Sequence, residues 1–153
     1  MSQQTMKHSN QQEINAPFRA KSAGVSLVAI LMIGMYYFAN VFTLLPDDQA
    51  IPDGALSLVI TAIILIIIVE VALQIVLFIG AGRIEEWSQR DDIVASKASR
   101  NAYRVMAVGV FATFASMFAQ FTPFEMGSVL LLAFLLAEIT NYGSQLFYYR
   151  RQA

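Results

Sequence analysis

Four long apolar runs, at 22–45, 54–82, 102–121 and 127–149, decide what this chain can fold into. Each reaches or exceeds the ~20 residues a helix needs to cross ~30 Å of hydrocarbon. A backbone in lipid must satisfy its own hydrogen bonds, and a lone run does so only as a helix. The sequence therefore predicts an all-α integral membrane protein, a four-helix bundle of two antiparallel hairpins. Composition agrees, at 57% hydrophobic and 14% charged residues. The predicted helices cover about 22–45, 54–82, 88–121 (including a cytoplasmic extension) and 127–149, in one transmembrane domain over 22–151.

Residues 1–21 are polar, rich in Gln and Asn, and without apolar periodicity. They read as a disordered cytoplasmic tail. A cleaved signal peptide does not fit, because its apolar core would be only ~7–15 residues. There is no cysteine and a single histidine, His8 in the tail. Disulfides and thiolate metal sites are thereby excluded, and no metal or cofactor is expected.

Charge sets the orientation. All ten Lys and Arg residues precede the first run, lie between the second and third, or follow the fourth. The other two connections, "PDDQAIPD" and "TPFE", contain only acids. By the positive-inside rule both termini and the central loop face the cytoplasm, giving a multi-pass inner-membrane topology. The ending "LFYYRR" then reads as an interfacial belt of Tyr148 and Tyr149 above the anchors Arg150 and Arg151, with Trp87 in the same role after the second run.

Two charged residues lie deep in the spans. Glu70 is 13 residues before Arg83, and Glu138 is 12 before Arg150. At 1.5 Å per residue both sit ~18–20 Å from the inner face, at one depth. Gln74 follows Glu70 by one turn, while Asn141, Tyr142 and Gln145 follow Glu138 at three, four and seven residues, each set sharing a face. A carboxylate at mid-bilayer costs roughly 2.5–3.5 kcal/mol. The second run can carry that cost with its eighteen Ile, Leu, Val and Phe residues between 56 and 79. Exposure of an ionised acid to lipid is still excluded, so both faces are expected to turn inward, with each acid paired or the two sharing a proton. The favoured reading is interhelical glue between the second and fourth helices. The other is a proton or cation site. On the third run, Ala107, Ala115 and Ala119, with Ala112 and Ser116 beside them, suggest a face for close helix packing.

The central segment "RIEEWSQRDDIVASKASRNAYR" has acids first and bases later, the order a helix dipole favours. Ser88 followed by Asp91 resembles a capping box and predicts a helix start near Ser88. Lys97, Arg100 and Arg104 form a stripe at headgroup level, read chiefly as snorkelling and alternatively as a contact for anionic lipid or an acidic partner; Arg90, Arg150 and Arg151 extend that surface.

"RDDIVASKASRNAYRVMAVGV" and "LAEITNYGSQLFYYRR" resemble an uncharacterised group of small bacterial four-helix membrane proteins. That group carries a D-E-R-D-x-x-I motif, an R-N-A-Y step into the third helix and a G-S-Q-L-x-Y-Y-R-R-like tail. The matching positions are Arg90, Asp91 and Ile93, then 100–103, 143–146 and 148–151. The chain departs at Ser88 and Gln89, where the group has D-E. The resemblance implies a bacterial inner-membrane protein and, through neighbouring helix-turn-helix regulators, a membrane-tethered regulatory role.

No nucleophile with a base, metal-ligand cluster or phosphate loop argues for catalysis. The expected function is non-enzymatic, structural or regulatory, through a protein at the cytoplasmic face. The alternative is a small proton-coupled transporter using Glu70 and Glu138. The expected partners are the lipid bilayer, a cytoplasmic regulatory protein and a second copy in a homodimer. Direct nucleic-acid binding is not expected.

Overall fold

The computed structural model describes residues 2–45, 49–83 and 89–151, with side chains at 19–45, 49–76, 78, 79 and 91–151. The described residues form four helices and no strand: α1 (Ser2–Leu44), α2 (Ala55–Arg83), α3 (Gln89–Phe118) and α4 (Pro123–Arg151). Trp87, Ser88 and the side chain of Arg90 lie outside the described residues.

Three helices are long and apolar enough to cross a membrane, over Arg19–Leu44, Ala55–Val76 and Pro123–Arg151, with mean hydropathies of 1.9, 3.0 and 1.6. Four were expected. The third run falls short because α3 stops at Phe118 rather than near 121. The uncharged stretch after Arg104 is then fourteen residues, about 21 Å of helix against ~30 Å of hydrocarbon.

The stop is built by backbone hydrogen bonds. Gln120 takes the left-handed conformation (φ 62°). Its N–H reaches the Met117 carbonyl at 3.4 Å, and the Phe121 N–H reaches the Ser116 carbonyl at 3.2 Å. That pair is a Schellman motif, which satisfies carbonyls that an ending helix would orphan. Two residues later α4 opens on a reciprocal capping box. The Thr122 N–H donates to Glu125 Oε2 at 2.7 Å, and the Glu125 N–H donates to Thr122 Oγ1 at 3.3 Å. The short acidic connection "TPFE" is therefore a helix-start signal as well as a topology signal.

At the other end, α1 runs back to Ser2, where the sequence predicts a disordered tail over 1–21. Gln, Met, Lys, Glu and Ala are adequate helix formers, but the extension also passes through Pro17, which removes one helical hydrogen bond at a cost of about 3 kcal/mol.

The helices pack in the order α2–α1–α4–α3. α4 lies against both α1 and α3, α1 also lies against α2, and no comparable packing joins α2 to α3 or α4 among the described residues. One core cluster joins Ala23, Ile30 and Ile33 of α1 to Ile66 of α2 and to Leu135 and Tyr142 of α4. The other joins Tyr37 and Val41 to Ala55, Leu58, Ala62 and Phe124. The Tyr37 hydroxyl meets Ser128 Oγ at 3.1 Å, a buried polar contact between α1 and α4.

α3 and α4 approach closely at Gly109, where an added Cβ would collide with the Ala133 side chain. The expected small-residue face is met in part: Ser116 is buried and Ala107 half-buried, whereas Ala112, Ala115 and Ala119 are exposed. Glycine wins the crossing because it alone lets the two backbones approach this far.

Candidate functional site

The structure brings five of the six seam residues together on α2 and α4. The Tyr142 hydroxyl donates to the Glu70 carboxylate, at 2.9 Å to one oxygen and 3.2 Å to the other. This bond crosses a gap that the two helix backbones do not close. Tyrosine is long enough to span it from a buried position, with Tyr142 only 6% exposed. Glu138, one turn earlier, is half-buried beside Asn141 and close enough to Glu70 to feel its charge. Gln145 Nε2 donates to Asn141 Oδ1 at 3.2 Å, one turn along α4. Gln74 is the exception. It is exposed and makes no hydrogen bond among the described residues.

The seam therefore consists of two carboxylates, a phenol and two amides near the middle of the spans. Such a set can accept, hold and pass a proton between side chains, and it can equally tie helices together. No group of three or more His, Asp or Glu suited to a metal ion occurs among the described residues. Beside the seam, Val59 and Ile63 of α2, Met106 of α3 and Phe134 of α4 line an apolar cleft of about 490 Å³.

A second polar cluster was not foreseen from the sequence. Asp91, at the start of α3, is 8% exposed. Its Oδ2 pairs with Arg19 Nη1 at 3.4 Å, and its Oδ1 accepts the Tyr149 hydroxyl proton at 3.0 Å. One carboxylate thus ties α1, α3 and α4, near the start of α3 and the end of α4. The signal was present in the register: Asp91, Val94 and Ala98, at i, i+3 and i+7, form one buried stripe. Tyr149, expected in a membrane-interface belt, is instead turned inward, because Asp91 offers its hydroxyl a partner there.

Ten residues further along α3, Asn101 Nδ2 reaches Ser144 Oγ at 3.5 Å and Tyr148 Oη at 3.4 Å. Segments that are far apart in sequence, around 91–103 and 143–151, hence meet side by side.

Arg19 apart, the basic residues described at this side stay outside this cluster. Lys97, Arg100, Arg104, Arg150 and Arg151 are all exposed. The Arg151 guanidinium lies 5.4 Å from the centre of the Phe147 ring. No family model, curated protein or solved structure matches the chain.

Proposed function

We propose that this chain is a four-helix bundle of the bacterial inner membrane, with both termini cytoplasmic, and that it acts without catalysis by docking a regulatory protein at its cytoplasmic face. The observation that carries this reading is the Arg19–Asp91–Tyr149 tie. It holds the start of α3 and the end of α4 against the interior of α1, while Lys97, Arg100, Arg104, Arg150 and Arg151 stay exposed. A rigid basic platform of this kind suits an acidic partner surface, since held charges lose little freedom on binding.

The arrangement of α3 supports a fourth crossing. It runs antiparallel along α4 from the Asn101–Ser144 contact to the Gly109–Ala133 crossing. If α4 spans, α3 is carried to the same depth, with Arg104 extending its stem toward the headgroups. A photo-cross-linking residue at Arg100 in intact cells should capture one cytoplasmic protein, and Asp91→Ala should abolish the adduct. An Arg100 adduct pattern matching that of a probe at lipid-facing Leu136 would rule the docking face out.

A second reading, a proton-coupled transporter, draws on the Glu70–Tyr142 hydrogen bond with Glu138 nearby. Intramembrane acids of this sort mark proton pathways. In inverted vesicles with an imposed pH gradient, that reading requires dye efflux that disappears in both Glu70→Gln and Glu138→Gln. Efflux equal to that of empty vesicles leaves the docking role standing.

A further inference from the structure

α1 and α2 pack tightly at one end and part at the other. Large side chains, Tyr37, Val41 and Leu58, close the first end. Toward the beginning of α1 a groove of about 400 Å³ opens between the helices, with Ala29 of α1 and Ala72 of α2 among its lining residues. Val25 and Val76 complete walls that are wholly apolar, and Lys21 and Ser22 stand at the mouth. Ser26 also lines it, but its hydroxyl is turned back to the Ser22 carbonyl at 2.9 Å and offers the groove nothing polar.

We propose that this groove binds one acyl chain of an anionic phospholipid, with the phosphate held by Lys21 and Ser22. The volume lies in the range of small-molecule sites, ~300–1,000 Å³, yet its walls would reject any polar ligand. An acyl chain meets that requirement. The mouth selects the headgroup. Among the described residues, exposed Lys21 makes no ion pair and the Ser22 hydroxyl makes no hydrogen bond. No acid among the described residues lines the groove. An exposed ammonium beside a hydroxyl, at the open end of an apolar slot, complements a phosphate attached to a hydrocarbon chain. This site is separate from the basic platform and from the seam.

The test is native mass spectrometry of the full chain, released from mixed micelles holding equal phosphatidylglycerol and phosphatidylethanolamine. The wild type should retain one phosphatidylglycerol in preference to phosphatidylethanolamine. Lys21→Gln should lower that preference about fivefold, the effect of one basic residue at an anionic surface. Lys7→Gln, which removes the same charge fourteen residues earlier, should not. Ala72→Phe should fill the slot and abolish retention of either lipid; if it does not fold, Ala29→Leu serves the same purpose. Equal retention of the two lipids by the wild type would overturn the proposal. So would an equal loss in Lys7→Gln, which would mean a diffuse basic belt, or unchanged retention in the slot-filling variants.

Discussion

The phenol of Tyr142 does for α2 and α4 what backbone packing does for the other helix pairs. Removing it should leave the Glu70 carboxylate half-buried without its donor. Tyr142→Phe is therefore expected to lose about 1–3 kcal/mol, the cost of stranding a buried polar group. Tyr36→Phe, at a hydroxyl with no such partner on α1, should change stability by less than about 0.5 kcal/mol. Thermal unfolding in detergent compares the two; equal shifts would mean the Glu70 bond contributes nothing. Gln120 offers a gain in the other direction. Its left-handed backbone (φ 62°) costs a side-chain-bearing residue roughly 1–2 kcal/mol. Gln120→Gly should recover part of that and raise the midpoint of thermal unfolding, whereas Gly54→Ala, at φ 87°, should lower it.

Among the elements, α3 is the one whose face the sequence places only in part. Small-residue spacing favoured Ala107, Ala112, Ala115, Ser116 and Ala119; Ser116 is buried, yet the contact with Ala133 is made by Gly109. Gly109→Val should force the helices apart and cost about 1–3 kcal/mol, the usual penalty of overpacking. Ala115→Val, on the exposed side, should be close to neutral, within about 0.5 kcal/mol. Equal losses would put the α3–α4 crossing elsewhere. The same helix explains the difference in span count. Its end is decided by the Schellman bonds at Ser116 and Met117, which hydropathy along the run does not register.

For the whole molecule the firmest consequence is sidedness. The exposed Gln49 lies in an acidic connection, and the exposed Ser96 lies four residues before Arg100 in the basic one. Single cysteines at these sites should label with a membrane-impermeant maleimide from opposite sides, Gln49→Cys from outside intact cells. The chain has no native cysteine, so each signal is unambiguous. Labelling of both from one side would sink the arrangement of both termini and the central loop in the cytoplasm. The packing order α2–α1–α4–α3 puts α2 at one end of the row, and it is the least covered of the three helices apolar enough to span, with 17% of that stretch buried against 28% for α1 and for α4. A helix as apolar as α2, apart from Glu70 and Gln74, needs little such cover in a bilayer.

The sequence by itself determined that the chain is helical and made for lipid, because long runs without water leave the backbone one way to bond itself. It also predicts Glu70 and Glu138 at one depth, from counting residues at 1.5 Å each. Which groups meet at that depth was decided by tertiary structure. Tyr142 reaches Glu70 and Gln74 faces outward, although helical spacing alone put both on the seam. Asp91 has the same lesson. Near the start of a helix it reads as a dipole-stabilising acid, and only the approach of Arg19 and Tyr149 from two other helices makes it a buried tie. Periodicity along one chain sets which residues share a face. The helix that the face meets, and how closely, depends on side-chain sizes in segments far away in sequence.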